Sequence, residues 1–165
     1  MTSKNKNKNM KVITVDYERC TGCRLCELVC SVKHVGVSNP ARSRVRVIKW
    51  ESEGFYLPML CQQCERAACM EVCPKDALYR NLNRIVIDYD LCIGCKMCVM
   101  ACPFGGMGID PDGKMIKCDL CDGEPQCVRF CEPKAIDYVD ATSASLQKKR
   151  FAGKRLSVMW RFVGY

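Results

Sequence analysis

Sixteen of the 165 residues are cysteines, and their spacing carries the chemistry of the chain. They fall into four quartets with none left over. Motif I is Cys20, Cys23, Cys26 and Cys30; motif II is Cys61, Cys64, Cys69 and Cys73; motif III is Cys92, Cys95, Cys98 and Cys102; motif IV is Cys118, Cys121, Cys127 and Cys131. Motifs I and III have the spacing C-x2-C-x2-C-x3-C. Such a run sets three thiolates around one iron–sulfur cube from a single tight loop and sends the fourth to a neighbouring cube. Motifs II and IV widen the second gap to four and five residues but keep the terminal C-x3-C. Gly22 and Gly94 sit inside the loops, where the backbone must turn closely against inorganic sulfide.

Zinc and disulfides compete for the same residues. A single C-x2-C pair would suit a tetrahedral zinc site. Four quartets with C-x3-C tails, and with Pro74 and Pro103 directly after the last cysteine of motifs II and III, favour four [4Fe–4S] clusters instead. A disulfide framework needs an oxidising compartment. The stretch Met1 to Lys11 is polar and Lys/Asn-rich, without the apolar core of a secretory signal. No apolar run approaches the roughly 18 residues of a membrane span. A cytoplasmic protein with no membrane span is the expectation.

The formal charge of +8 suggests affinity for nucleic acid, but it counts every cysteine as neutral. A cube held by four thiolates carries roughly −2, so four of them offset the excess. The distribution is also uneven. Lys4, Lys6, Lys8 and Lys11 precede motif I, and Lys148, Lys149, Arg150, Lys154, Arg155 and Arg161 follow motif IV, with no acid in either stretch. Removing those ten charges leaves residues 12–140 at about −2 before any cluster is counted. The expectation is an acidic body with two basic tails and no nucleic-acid partner.

The elements that must position the cysteines read as a duplication. Val15-Asp16-Tyr17 precedes motif I as Ile87-Asp88-Tyr89 precedes motif III, 72 residues on. Lys75-Asp76-Ala77-Leu78 after motif II is echoed by Pro133-Lys134-Ala135-Ile136 after motif IV. Ala77 to Tyr79 reads as a strand, Arg80 to Asn83 as a turn, and Arg84 to Asp88 as the return strand, which ties motif II to motif III. Val12 to Val15 and Ala135 to Val139 are left to pair with each other, tying motif I to motif IV.

The predicted ligand sets are therefore crossed. Cys20, Cys23, Cys26 and Cys131 hold cluster 1; Cys30, Cys118, Cys121 and Cys127 hold cluster 2; Cys61, Cys64, Cys69 and Cys102 hold cluster 3; Cys73, Cys92, Cys95 and Cys98 hold cluster 4. Between motifs I and II, the alternation from Ser43 to Trp50 and the run Phe55-Tyr56-Leu57 after Gly54 predict a surface hairpin within residues 41–58. The predicted fold is α+β: two interlaced bacterial-ferredoxin-like modules of two [4Fe–4S] clusters each, with an inserted β-hairpin and a C-terminal extension. Residues 1–10 read as a flexible basic tail, 11–140 as the four-cluster body, and 141–165 as a basic and apolar docking extension.

With these motifs in hand, residues 11–140 resemble the four-cluster ferredoxin-like subunits that accompany molybdenum and tungsten oxidoreductases and nickel hydrogenases. The resemblance rests on Cys61-Gln-Gln-Cys64 through Cys73-Pro74, Cys92-Ile-Gly-Cys95 through Cys102-Pro103, and Cys118-Asp-Leu-Cys121 through Cys131. It implies the same I–IV and II–III pairing and a nearly linear wire between a catalytic subunit and a second carrier. The chain is most similar to the iron–sulfur subunits of tungsten aldehyde oxidoreductases, then to those of hydrogenases linked to carbon monoxide dehydrogenase or formate dehydrogenase. The implied partners are a large tungsten- or molybdenum-cofactor subunit and, as second redox partner, a flavin/NAD-dependent subunit or a ferredoxin. One departure is clear: Ser31, and Glu132 before Pro133, stand where the family pattern often has proline directly after the cysteine.

No catalytic set is legible. There is no Ser/His/Asp arrangement, phosphate-cradling loop or dinucleotide fingerprint, and the single histidine, His34, reads as solvated or packed rather than as a ligand. The expectation is an electron-transfer subunit that is not an enzyme alone; a free polyferredoxin and a zinc protein are the alternatives. In the C-terminal extension, Ala141 to Ser145 reads as a linker. Leu156, Val158, Trp160 and Phe162 alternate like a strand, whereas Ala152, Leu156, Met159, Trp160 and Val163 share a helical face. This end either straps back on its own body or docks on another chain, including a second copy in an oligomer or filament.

Overall fold

The computed structural model describes residues 11–163, with side chains as far as Met159; the basic tail expected over residues 1–10 lies outside them. The chain divides into two compact units. The larger spans residues 15–137; the smaller combines the ends of the described chain, residues 11–14 and 138–163. All sixteen cysteines belong to the larger unit.

The duplication is visible in the backbone. Gly22 and Gly94 have φ of 69° and 68°, and Arg24 and Lys96, 72 residues apart like the glycines, have 61° and 65°. Each of these two left-handed residues turns the cysteine loop into a helix: α1, Leu25–Val35, and α3, Met97–Ala101. Motifs II and IV end in shorter helices, α2 at Ala68–Glu71 and α4 at Gln126–Arg129. α1 packs on α4, and α2 on α3.

The strands repeat that pairing. β1, Lys11–Val15, pairs with β8, Ile136–Asp140; β4, Leu78–Asn81, pairs antiparallel with β5, Arg84–Ile87. Equivalent hydrogen bonds close both pairs: Asp16 N–H donates to the Ala135 carbonyl at 2.8 Å, and Asp88 N–H to that of Ala77 at 2.7 Å. The chain is α+β in class, with little regular structure beyond these short elements.

Two further hairpins complete the larger unit. β2, Arg46–Trp50, and β3, Phe55–Met59, pair from Arg46–Met59 to Trp50–Phe55. This hairpin, exposed along most of β2, lies over motif I. Tyr56 sits where a Cβ on Gly22 would fall 2.7 Å from its ring, and Val47 N–H donates to the buried Glu27 carboxylate at 2.7 Å. The second hairpin, β6 at Met107–Ile109 and β7 at Met115–Lys117, is absent from the sequence reading. Its signal was Asp110-Pro111-Asp112-Gly113. The Asp110 carboxylate accepts from the N–H groups of Asp112 and Lys114 at 2.9 and 2.8 Å, and Gly113 supplies a φ of 81°.

The structure corrects the sequence at three other places. β4 continues through Asn81, so the turn expected over Arg80 to Asn83 shrinks to Leu82-Asn83, with Leu82 at φ 56°. The expected linker Ala141 to Ser145 is instead the start of α5, Ala141–Val163. Residues 141–145 contain no Pro or Gly, and Ala is the strongest helix former, so nothing interrupts the helix there. The same helix excludes the strand alternative for residues 156–162. Finally, α1 runs five residues past Cys30, where Ser31 stands in place of the proline that directly follows the last cysteine of motifs II and III. Ser31 bonds the Leu28 carbonyl at 2.8 Å and accepts the Asn39 N–H at 3.0 Å.

Candidate metal centres

A local device recurs at the last cysteine of each motif: its Sγ accepts a backbone N–H. Ala77 donates to Cys73 at 3.3 Å, Gly106 to Cys102 at 3.2 Å and Ala135 to Cys131 at 3.2 Å, each from four residues downstream. In motif I the lengthened helix carries the chain away, and Arg44 N–H takes over at 3.3 Å from Cys30. Hydrogen bonds of this kind stabilise thiolate over thiol and tune the potential of a bound cluster.

The fold also brings together cysteines that are distant in sequence. A recess with about 320 Å³ of empty space is lined by Cys20, Cys23, Cys26 and Cys131, with Val47 and Pro58 of the β2–β3 hairpin on its wall. Burial raises Cys127 strongly, with Cys118, Cys30, Cys121 and Cys26 adding to the effect. Burial likewise pushes Cys118 up to about 12, reinforced by Cys61 and Cys30. Cys69, raised by burial, is raised further by Cys61 and Cys102. Cys69 and Cys98 share one apolar core, against which Cys64, Cys73, Cys92 and Cys102 pack.

Several of these thiols thus resist ionisation when no metal is present, in part because their neighbours would repel the second charge. Such a donor set suits soft, multiply charged iron, which takes thiolates and releases their protons. Arg84 gives a second sign of fit. One guanidinium nitrogen pairs with Asp122 at 2.6 Å, but its buried Nε–H has no partner among the protein atoms. An acceptor such as cluster sulfur would satisfy it.

Residues 52–141 match the family model of 4Fe-4S dicluster domains, and residues 19–84 match a second model of the same description. The chain belongs to the 4Fe-4S dicluster domain family. Two such domains and sixteen cysteines correspond to four [4Fe–4S] clusters. Among curated relatives, the polyferredoxin-like subunit of the aliphatic sulfonate oxidoreductase of Pyrococcus furiosus is 39% identical over 104 residues, covering 62% of this chain and 59% of that one. The electron transport protein HydN of Escherichia coli K12 is 37% identical over 106 residues, covering 60% of this chain and 59% of that one. The chain spans 59% of the length of both relatives. Among solved structures, a chain of the active-site complex BamBC of benzoyl coenzyme A reductase is 31% identical with a TM-score of 0.50. That match covers 80% of this chain and 78% of the other.

The dicluster frame leaves several polar residues that the motif reading did not single out. Glu27 is fully buried beside Cys26, held by Arg24 at 2.6 Å and by the Val47 N–H. Its sequence signal was a lone acid inside Leu25-Cys26-Glu27-Leu28-Val29-Cys30. Lys117 is 2% exposed, immediately before Cys118. Gln63 links motifs II and IV by donating to the Cys118 carbonyl at 2.7 Å. His34 packs with Nε2 3.3 Å from Asp119, and the Asp119 and Cys121 ligand atoms lie within 4.8 Å of it. Burial, aided by Arg44, lowers His34 from its ordinary value, while Asp119 opposes the shift.

Proposed function

We propose that this chain is the electron-transfer subunit of an oxidoreductase complex, relaying single electrons between a catalytic subunit and a second carrier. The bound clusters supply reversible one-electron chemistry, while the protein supplies ligands, spacing and exclusion of water. The ligand sets are the crossed ones: Cys20, Cys23, Cys26 and Cys131; Cys30, Cys118, Cys121 and Cys127; Cys61, Cys64, Cys69 and Cys102; and Cys73, Cys92, Cys95 and Cys98. The recess lined by the first set supports this reading, as does the mutual influence within the second and third.

The observation that carries the relay is the gradient of exposure along these sets. Of the sixteen cysteines only Cys23 and Cys95 are exposed, one in the first set and one in the fourth. Cys30, Cys118, Cys121 and Cys127 of the second are all buried, as are Cys61 and Cys69 of the third. The influence of Cys26 on Cys127, and of Cys61 on Cys118, supports the order first, second, third, fourth. Leu91, Ile93, Met97, Met100 and Phe104, all exposed, lie within nine residues of Cys95 in sequence, a set of apolar groups suited to docking a protein partner.

The catalytic partner in this reading is a large tungsten- or molybdenum-cofactor subunit, with a tungsten aldehyde oxidoreductase as first candidate. A free polyferredoxin is the second reading. Anaerobic purification from the native source decides between them. A subunit co-purifies in fixed ratio with a tungsten- or molybdenum-containing chain, whereas a free carrier elutes alone. The isolated chain is expected to contain about sixteen irons and sixteen acid-labile sulfides and to bleach with dithionite. Two cubes, or zinc, in anaerobically prepared protein would overturn the reading.

The 23-residue helix α5 is assigned to assembly. No helix among the described residues is long and apolar enough to cross a membrane. Yet α5 exposes Leu146, Leu156, Val158 and Met159 beside Lys148, Lys149 and Arg150. Deleting residues 146–165 is expected to leave the iron content unchanged and to reduce the mass of the complex in size-exclusion chromatography. A complex of unchanged mass would make α5 a strap on its own chain.

A further inference from the structure

Lys117 is a buried cation whose partners are all neutral. Its Nζ donates to the carbonyls of Ile85 at 2.9 Å and Cys118 at 3.1 Å, and lies 3.4 Å from Gln63 Oε1. The side chain belongs to β7 and is 2% exposed. Burying a charge without a counter-charge costs several kcal/mol, so a lysine placed this way needs an anion close by. Among the described residues it has three dipoles and no carboxylate within ion-pairing distance.

The duplication shows that the fold does not need this charge. Cys118 in motif IV corresponds to Cys61 in motif II, so Lys117 corresponds to Leu60, which is equally buried at 2%. One copy of the same position carries an apolar side chain and the other an ammonium. The surroundings of the ammonium are those of clusters 2 and 3. Cys118 is the next residue, Gln63 lies between Cys61 and Cys64, and burial raises Cys69 while Lys117 pulls it back down. Motifs I and III have no such lysine before their first cysteine; Arg19 and Leu91 stand there, both exposed.

We infer that Lys117 poises the inner pair of clusters, its ammonium serving as the shared counter-charge of the two ligand sets that meet at Cys118 and Cys61. A positive charge held in a dry interior favours the more negative, reduced state of a neighbouring cluster. The inner clusters therefore accept an electron more readily than their burial alone would allow. Without Lys117 the two buried sites would be the hardest to reduce and would block passage between the exposed ends. This inference rests on the crossed ligand sets and their order proposed above.

The test is a potentiometric titration of the full chain followed by electron paramagnetic resonance, with iron counted in each variant. Lys117→Met, of similar length and uncharged, is expected to retain about sixteen irons. It should shift the reduction equilibrium of two of the four clusters about tenfold toward the oxidised form, ~59 mV for a one-electron couple. Lys117→Arg should restore the original equilibrium. Gln63→Glu keeps the lysine but sets a carboxylate against it, and should shift the same two clusters in the same direction; it decides the matter should Lys117→Met lose iron. Full iron with all four potentials unchanged in Lys117→Met, or in Gln63→Glu, would overturn the role of Lys117. A wild-type protein without four clusters would instead overturn the ligand reading beneath it.

Discussion

Replacing Cys131 with serine is expected to cost the protein about a quarter of its iron, sixteen falling to about twelve, with the loss at the motif I cluster and not at the cluster held by the rest of motif IV. The geometry behind this is the recess that Cys131 shares with Cys20, Cys23 and Cys26. Cys131 reaches it because α4 ends at Arg129 and the chain turns at Lys134, φ 52°, so that Ala135 N–H closes on Cys131 Sγ while Ala135 carbonyl meets Asp16. Cys127 is raised by burial and further by Cys118, Cys30 and Cys121 as well as Cys26, which supports the proposed second set. Metal analysis with Mössbauer or paramagnetic resonance spectra of the variant locates the lesion. Loss of the cluster nearest Cys118, Cys121 and Cys127, with the motif I cluster intact, would refute the crossed arrangement. Cys102→Ser makes the matching case in the other half, removing the cluster of Cys61, Cys64 and Cys69. If the four clusters form the proposed serial path, each variant should also abolish relay between partners although three clusters remain.

Gly106→Ala is expected to be nearly as damaging, although the residue is not a ligand. A Cβ there would lie 2.7 Å from Cys61 Cα and 3.2 Å from its nitrogen, distances that backbone atoms cannot yield cheaply. The same residue donates its N–H to Cys102 Sγ at 3.2 Å. One methyl group therefore pushes apart two cysteines assigned to a single cube. Overpacking of this kind costs typically about 1–3 kcal/mol in stability, and here the strain falls on cluster geometry. The variant should assemble with about twelve irons and melt at a lower temperature than the wild type. Gly153→Ala, in α5 with no positive φ and nothing within 4 Å, serves as the control that keeps all sixteen irons. Full iron in Gly106→Ala would mean that the Cys61 backbone moves without disturbing its ligand set.

How much of this was legible beforehand depends on whether a feature is local. The ligands, their number and the class of cofactor follow from the sequence, because cysteine spacing is a statement about one loop and one cube. The duplication was legible for the same reason: a repeated loop with Gly22 and Gly94, or Arg24 and Lys96, repeats its dihedrals wherever it occurs. The strands beside the motifs were readable from short alternating runs, but their ends were not, since pairing partners rather than propensity decide where β4 stops. The β6–β7 turn is legible in Asp110-Pro111-Asp112-Gly113, but its strands, three residues each, are too short to show an alternating pattern.

Only the tertiary structure decided the rest. Ser31 was visible as a departure, but not that it lets α1 run to Val35 and hands the Cys30 hydrogen bond to Arg44, 14 residues away. The β2–β3 hairpin was visible as strands, but not as the wall over motif I held by Glu27 and Tyr56. Lys117 looked like one basic residue among 26 lysines and arginines. Its burial comes from β7 and from Gln63 and Ile85, which are more than 30 residues away, and no local pattern records that. The sequence by itself determined what this protein can bind, because ligation is chemistry written in residue type and short spacing. The structure alone decided which cysteines face solvent and which charges sit among them. Those are sums over distant contacts, which no short run of residues records.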